Sequence, residues 1–260
     1  MIKYDILNDY LIAWRSSDSL FGLLLTGDVG IGKTYILEDY LKGDECILIN
    51  SHVTPLSLFI TLYQHKSSES YIIIDDVLEL FKNKETSGLL LSATQTGKLN
   101  RTLTYNSTTD KLGEVPSSFV YNGKIAIICN KLPNRLDHLK SRCFYYDLKL
   151  TFSERINKII EVGKSMNVDS SVINFIVKYS NESTPKDILN IRLLLKINSL
   201  HRTSKDWKRL GLHIINQDES LYALKKILST YSNPKKQIEE YTKLTGLGKG
   251  SFYKHKKQLI

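Results

Sequence analysis

The sequence has few cysteines and lacks a long apolar run. Its three cysteines, Cys46, Cys129 and Cys143, lie far apart and lack the paired spacing of a zinc site. Cys46 and Cys129 lie in apolar runs, so we expect both to be core thiols. No apolar run approaches the ~20 residues of a membrane span, and residues 1–11 lack the pattern of a signal peptide. We therefore expect no membrane partner and a reducing compartment, the cytoplasm of a cell or of a host.

The end of the chain is poor in acidic residues. The whole sequence carries 36 Lys and Arg against 27 Asp and Glu, a formal charge of +9. Residues 225–260 contain nine Lys and two Glu, so +7 of that charge lies in the last 36 residues. This concentration indicates an acidic partner, most simply nucleic acid, although a solvated lysine-rich tail would have the same composition. No internal repeat or low-complexity linker separates the parts of the chain.

A phosphate-binding loop pattern stands near the start of the sequence. Residues 27–34 read GDVGIGKT, which matches GxxxxGK followed by Thr. An apolar run from Leu20 to Leu25 precedes the loop and a helical run from Thr34 to Leu41 follows it, which is the context that such a site needs. Backbone N–H groups, the Lys ammonium and the Thr hydroxyl would then bind phosphates and Mg²⁺. The predicted nucleotide-binding residues are Gly27, Asp28, Val29, Gly30, Ile31, Gly32, Lys33, Thr34 and Tyr35.

Short apolar runs alternate with helical periodicity over the first 150 residues. We predict helices at 1–19 and 55–63, and strands at 20–26, 46–50, 71–74, 124–129 and 143–148. Such strands predict a parallel sheet covered on both faces, an α/β fold with its active residues at the carboxyl ends of the strands.

Two adjacent carboxylates occupy such a position. Tyr71 to Ile74 run directly into Asp75 and Asp76, which is the Walker B pattern. Asp75 would hold Mg²⁺, and Asp76 would act as the base that polarises the attacking water. Two solvated turn carboxylates are the alternative, and a P-loop earlier in the chain disfavours it.

The motifs GDVGIGKT, YIIIDD, ICN and SRC together resemble an AAA+ ATPase. In that family a polar residue closing a strand, here Asn130, serves as sensor 1 and orients the water. The resemblance makes Arg142 the arginine finger that reaches the nucleotide of a neighbouring subunit, in a ring or helical homo-oligomer. A cap or turn role for Asn130 and a surface salt bridge for Arg142 are the alternatives.

The block after the sheet is similar to the helical lid of AAA+ proteins. Residues 151–166, 169–179 and 184–200 show helical periodicity. The family places a sensor 2 Arg at the start of the third lid helix, where this sequence has Lys186. A Lys contacts phosphate only as a point charge, so Arg192 is the substitute candidate for this nucleotide contact.

Between Asp76 and Lys124 the chain is rich in Thr, Ser and Asn, with Lys98, Arg101 and Lys111 among them. Residues 101–106 alternate like an exposed hairpin strand. In AAA+ rings this region faces the central channel, so the resemblance makes these three cations candidates for contact with DNA or protein. A solvated loop is the alternative.

The end of the chain looks like a helix-turn-helix. Two predicted helices, 234–242 and 249–259, flank a turn at Gly246, and Leu247 and Phe252 would pack them together. Thr242 stands where the motif favours Ala. The second helix would meet base edges with its first residues and phosphates with the rest, unless the pair is a hairpin that packs on the lid. The predicted DNA contacts are Lys249, Ser251, Tyr253, Lys254, Lys256 and Lys257.

We therefore predict a P-loop α/β domain at 1–150, a helical lid at 151–202 and a helix-turn-helix domain at 203–260. The resemblance is to the initiator and helicase-loader branch, as found in viruses and plasmids. It implies an ATPase that uses ATP and Mg²⁺, assembles on double-stranded DNA and serves a replicative helicase. A transposition helper that serves a transposase is the first alternative. A DNA-binding regulator that only binds ATP is another, and a clamp-loader subunit would lack the helix-turn-helix.

Overall fold

The computed structural model describes residues 2–76, 81–97, 100–106, 112–216 and 219–259. The chain divides into two compact units, Met1–Leu150 and Thr151–Ile260. Across the described ranges, no helix combines the length and the apolar character needed to cross a membrane.

The first unit is built on a five-stranded parallel sheet with the order β2-β3-β6-β1-β7. Its elements are α1 Ile2–Ser16, β1 Gly22–Gly27, α2 Lys33–Tyr40, β2 Glu45–Ile49, α3 Pro55–Gln64, β3 Ser70–Asp75, α4 Lys84–Ala93, β4 Arg101–Thr104, β5 Ser118–Tyr121, β6 Lys124–Cys129, a 3₁₀ helix Asn134–Leu139 and β7 Cys143–Leu148. This confirms the predicted α/β class and every predicted strand of the sheet.

The sheet is buried on both faces because its central strands are mostly apolar. All residues of β1 and β6 are buried. Leu24 packs into one apolar cluster with Leu58 and Leu90, whereas Leu23 and Leu25 pack into another on the opposite face. The order of the strands makes β3, β6 and β1 neighbours, so their carboxyl ends meet at one edge of the sheet.

The predicted strand at Arg101 exists, but its cation is not exposed. Arg101 on β4 pairs with Tyr121 on the antiparallel β5, and its side chain is 2 % exposed. The guanidinium carbon lies 3.6 Å from the centroid of the Phe21 ring, and Nη2 donates to the carbonyl of Gly123 at 2.8 Å. Burial lowers the pKa of Arg101 to about 10. The prediction that Arg101 contacts a partner in a central channel is therefore wrong, while Lys98 and Lys111 lie outside the described residues.

The cysteines are divided between core and edge. Cys129 on β6 and Cys143 on β7 are buried. The prediction that Cys129 is a core thiol is therefore confirmed. Cys46 lies on β2, the edge strand of the sheet, and is exposed. Its apolar neighbours in sequence predicted a core thiol, and that prediction is wrong because Cys46 lies at the exposed start of this edge strand, which is buried only at Ile49.

The second unit is helical, with the elements α5 Phe152–Ser165, α6 Ser170–Tyr179, α7 Ile191–Thr203, α8 Trp207–Asn216, α9 Glu219–Thr230, α10 Pro234–Thr245 and α11 Lys249–Leu259. Its described residues form two apolar cores. The first joins α5, α6 and α7, and it continues into α8 through Trp207, Leu212 and Ile215. The second joins Leu224 and Ile227 of α9 to Tyr241 and Phe252. The domain boundary at 202/203 remains a prediction, and the apolar core of the lid extends past it.

The third lid helix begins later than its periodicity predicted. Asn190 is its N-cap, and the Asn190 side chain accepts a hydrogen bond from the backbone N–H of Leu193 at 3.2 Å. Residues 185–189 form a turn instead, held by backbone bonds from Ile188 and Leu189 to the carbonyl of Pro185. The helix predicted to start at Thr184 is therefore seven residues too long at this end.

The last two helices meet through aromatic side chains. Gly246 ends α10 with a left-handed φ of 70°. Tyr241 and Phe252 are fully buried, with ring centroids 5.5 Å apart. Phe252 packs as predicted, but Leu247 is 37 % exposed and lies outside the apolar cluster that contains Tyr241 and Phe252. Thr242 is exposed, so its size does not disturb the packing.

Candidate nucleotide-binding site

The loop of residues 27–34 connects β1 to α2 at the carboxyl edge of the sheet. Gly27 has a φ of 143°, and a Cβ there would lie 2.1 Å from the carbonyl oxygen of Leu148, so only glycine fits. Gly32 caps α2 with a left-handed φ of 90°. The loop therefore approaches the neighbouring strand β7 closely and places its backbone N–H groups at a helix N-terminus, where anions bind.

Lys33 is buried at the centre of this loop. Its Nζ donates to the carbonyls of Gly27 at 2.9 Å and Asp28 at 2.8 Å, and to Oδ1 of Asn130 at 3.1 Å. Burial lowers the pKa of Lys33, and the nearby carboxylates, first Asp75, oppose that shift. All three donors of the ammonium group are used within the protein, so a phosphate would replace existing partners of Lys33.

Thr34 and Asp75 form a hydrogen-bonded pair beside Lys33. The Thr34 hydroxyl donates to Oδ2 of Asp75 at 2.7 Å. Oxygen ligands of this kind suit Mg²⁺, which takes one or two protein oxygens and completes its shell with phosphates and water. No cluster of three His, Cys, Asp or Glu side chains able to hold a metal occurs in the described part of the chain. The pair of oxygens thus fits a metal that arrives with a nucleotide.

Asp76 and Asn130 form another hydrogen-bonded pair at the same edge of the sheet. The Asn130 amide Nδ2 donates to Oδ2 of Asp76 at 3.2 Å. Asp76 has a left-handed φ of 56°, and its backbone N–H donates to the carbonyl of Ile128 at 2.9 Å. This turn directs the chain out of the sheet, and both side chains are exposed. The structure therefore brings a candidate base and a candidate water-orienting amide together at an open edge.

A further acidic residue, on the edge strand β7, contacts the end of the strand that leads into the loop. Asp147 on β7 accepts from the Thr26 hydroxyl at 2.8 Å and pairs with Lys149 at 2.6 Å. Burial would raise the pKa of Asp147, but the hydrogen bonds from Lys149 and Thr26 outweigh it and lower that pKa. The sequence prediction missed Asp147. The sequence did offer a signal, because Asp147 is an acidic residue one position before the end of the strand predicted at 143–148.

Arg142 lies in the turn directly before β7. Its Nη1 donates to the carbonyl of Leu91, near the end of α4, at 3.2 Å, and the residue is half-buried. The alternative of a surface salt bridge does not describe this contact, because the partner is a backbone carbonyl.

Three predicted nucleotide-contact residues, Tyr35, Lys186 and Arg192, are not among the hydrogen-bonded side chains described above. The Tyr35 side chain is 70 % exposed in the first turn of α2. In the second unit, Lys186 lies in the turn before α7, and its carbonyl accepts from Arg155 Nη1 at 3.0 Å. Arg192 is the second residue of α7 and is exposed. Of the two sensor 2 candidates, Arg192 is thus the one in the first turn of the third lid helix.

The predicted DNA contacts share one helix. Phe252 and His255 of α11 face inward, and the His255 Nδ1 lies 2.8 Å from the Tyr241 hydroxyl. The candidates on the outer side are exposed or partly exposed: Lys249, Ser251, Tyr253, Lys254, Lys256 and Lys257.

Solved structures show what this architecture is similar to, although no protein-family model and no curated protein matches the chain. The Holliday junction branch migration motor RuvB of Thermotoga maritima is 19 % identical, with a TM-score of 0.50 over 95 % of this chain and 81 % of that one. A mutant of RuvB of Thermotoga maritima is 18 % identical, with a TM-score of 0.53 over 88 % of this chain and 76 % of that one. NtrX from Brucella abortus in complex with ATP is 12 % identical, with a TM-score of 0.50 over the whole chain and 68 % of its own. These neighbours are P-loop AAA+ ATPases, and the chain has their fold.

Proposed function

We propose that the protein is a Mg²⁺-dependent ATPase that assembles with copies of itself on duplex DNA. The observation that carries this proposal is the set of contacts at the sheet edge. Lys33, Asn130 and Asp76 are joined in one hydrogen-bonded chain, and Thr34 is bonded to Asp75 beside it. In this proposal a phosphate-binding cation, two oxygens for Mg²⁺ and a base with its orienting amide lie at the carboxyl ends of three adjacent strands.

In this proposal the backbone N–H groups of the loop, including the N–H of Tyr35, bind the phosphates of ATP. The ammonium group of Lys33 contacts the β- and γ-phosphates. Thr34 and Asp75 would hold Mg²⁺, whose charge neutralises the phosphate oxygens. Asp76 accepts a proton from the attacking water, and the Asn130 amide orients that water. As the water oxygen bonds to the γ-phosphorus, the bond to the bridging oxygen breaks and ADP leaves.

Two arginines complete the proposed site. Arg142 would act on the nucleotide of a neighbouring copy, after releasing the carbonyl of Leu91. A planar guanidinium stabilises the charge of the transferring phosphoryl group better than an ammonium group does. We assign the sensor 2 contact to Arg192 rather than to Lys186, because Arg192 lies in the first turn of its helix and carries the fork of donors.

The distribution of charge supports DNA as the partner. The first unit has 16 Lys and Arg against 17 Asp and Glu, whereas the second has 20 against 10. The net charges are therefore −1 and +10, so the whole excess lies on the helical unit. On α11, Lys249, Ser251 and Tyr253 would meet bases, and Lys254, Lys256 and Lys257 would meet phosphates.

The finer role that we propose is replication initiation or helicase loading for a virus or mobile element, in the cytoplasm. The adjacent carboxylates Asp75 and Asp76, with the helix-turn-helix that we propose for α10 and α11, support this branch of the AAA+ family. RuvB, whose fold the chain shares, is itself a motor that acts on DNA junctions.

ATP turnover with and without duplex DNA tests the proposal. We expect hydrolysis that requires Mg²⁺ and that changes when duplex is added. The double variant Lys254→Gln/Lys257→Gln should keep basal turnover and lose the response to DNA. The double variant Lys164→Gln/Lys178→Gln removes the same charge from exposed positions on α5 and α6 and should behave as wild type. Absence of both turnover and DNA binding in the wild-type protein would overturn the proposal.

A further inference from the structure

A second group of cations lies outside α11, at the turn between α7 and α8. We call it the lid corner and define it as Arg202, Lys205, Lys208 and Arg209. All four residues are exposed and lie within eight positions of sequence, where Asp206 is the only acid. The corner thus carries a net charge of +3 and shares no residue with the nucleotide site or with α11.

These charges are poorly neutralised. Arg209 Nη2 lies 3.8 Å from Oδ2 of Asp206, and both side chains are more than 60 % exposed. Exposed pairs of this length contribute little, since solvent screens them. Over the described residues, Arg202, Lys205 and Lys208 form no ion pair. Three cations therefore remain available to an anionic partner.

The backbone of the corner is rigid. Trp207 is 8 % exposed and packs against Phe175 at 5.0 Å and His201 at 4.9 Å, measured between ring centroids. The backbone N–H of Ser204 donates to the carbonyl of Leu200 at 2.9 Å, and its hydroxyl accepts from the N–H of Asp206 at 3.1 Å. The turn thus fixes the backbone from which the four cations extend, so binding would order only their side chains.

We propose that the lid corner is a second DNA-contacting surface, one that binds backbone phosphates independently of α11. The occupant is a phosphodiester backbone because four Lys and Arg residues within eight positions of sequence suit its repeated negative charges. Trp207 is buried, so no aromatic side chain of the corner is free to stack on bases. The corner therefore adds affinity without sequence preference. This inference rests on the proposed DNA-binding function and extends it to the lid.

The test compares two triple variants of the full chain that lose the same charge. Arg202→Gln/Lys205→Gln/Lys208→Gln changes the corner, and Lys42→Gln/Lys164→Gln/Lys178→Gln changes exposed lysines elsewhere. Affinity for one duplex is measured by filter binding between 50 and 200 mM salt, where each phosphate contact contributes about 0.9 to the slope of log K against log salt. We expect the corner variant to lose a slope of about 2 to 3, and the control to lose less than about 1.

The corner variant should also weaken binding to unrelated duplexes by the same factor as binding to the preferred one. Equal slopes for the corner and control variants, with wild-type protein that binds DNA, would overturn the lid-corner inference and leave the proposed function intact. Wild-type protein that does not bind duplex at 50 mM salt would overturn both. Circular dichroism and thermal melting of each variant establish that the exposed substitutions leave the fold unchanged.

Discussion

The side-chain amide of Asn130 donates to the carboxylate of Asp76, with Nδ2 and Oδ2 3.2 Å apart. The other end of the same amide accepts from Lys33. Asn130 therefore connects the candidate phosphate-binding cation to the candidate base at the ends of three adjacent strands. Nucleotide binding would draw Lys33 away from Asn130 and free the amide oxygen for water.

Replacement of Asn130 should separate binding from turnover. We expect Asn130→Ala to reduce kcat by about 10²-fold, as the loss of one positioned hydrogen-bond group does in other enzymes. Affinity for ATP should change little, because the loop supplies most phosphate contacts. Stopped-flow binding of a fluorescent ATP analogue and steady-state turnover measure the two quantities.

Asn122→Ala is the matched control, since Asn122 precedes β6 at the opposite end of the strand. It should leave kcat unchanged. An Asn130→Ala protein with wild-type kcat would contradict the assigned role.

Gly27 should be irreplaceable for steric reasons. Gly27→Ala would place a Cβ 2.1 Å from a carbonyl of β7, whereas Gly43, also at positive φ, has no atom within 4 Å of such a Cβ. We expect Gly43→Ala to cost about 1 kcal/mol of unfolding free energy through backbone strain. Gly27→Ala should cost at least about 2 kcal/mol more because the strands must move apart.

Urea unfolding of both variants measures this difference. Equal losses in the two proteins would show that the contact between Gly27 and Leu148 imposes no constraint.

Arg142 should act between copies of the protein. We expect Arg142→Ala and Asp76→Asn proteins to be inactive alone and to regain part of the activity when mixed, since one supplies an intact site and the other the arginine. Where such a residue is known, its loss costs about 10³-fold or more in rate. Turnover per subunit should also rise with protein concentration.

Arg142→Lys is the informative second variant, because it keeps the charge but not the fork of donors, and it should remain slow. Full turnover that does not depend on concentration would exclude this arrangement.

The helical and strand patterns of the chain were sufficient to predict the sheet and the positions of Lys33, Thr34, Asp75, Asp76 and Asn130. Each of these depends on a local motif followed by a simple rule about strand ends. Predicting these five positions did not require the order of the strands in the sheet. That order explains why the five side chains lie close together.

The failures have a common physical origin in long-range packing. Arg101 looked like an exposed cation because the ring of Phe21 and the carbonyl of Gly123, its partners, lie far away in sequence. The prediction for Cys46 failed for a similar reason, since the edge position of β2 is a property of the whole sheet. The late start of α7, in contrast, was readable from Asn190, a good N-cap residue five positions after Pro185.

The pH dependence of cysteine alkylation tests which of the three thiols are buried. Burial raises the pKa of Cys129 to about 11 and that of Cys143 to about 12, and partial desolvation with the nearby Glu38 and Asp44 raises that of the exposed Cys46 to about 11. At pH 8 all three are almost wholly protonated, so alkylation should be slow, with Cys46 reacting first because it is exposed. Its rate should rise about tenfold per pH unit from 8 to 10 as thiolate forms.

Mass spectrometry of the alkylated protein identifies the site, and Cys46→Ser should remove the first reaction. Modification of Cys129 as fast as Cys46 would contradict its position in the core.

The most direct measurement is single-turnover ATP hydrolysis by the wild-type protein and by Asp76→Asn. Asn tolerates the left-handed φ of position 76 and leaves the Thr34–Asp75 pair intact, so the change removes only the candidate base. We predict that Asp76→Asn binds ATP with unchanged affinity and hydrolyses it at least about 10²-fold more slowly, while Lys33→Ala fails to bind. Hydrolysis by Asp76→Asn at the wild-type rate, or no hydrolysis by the wild-type protein with Mg²⁺, would contradict the account.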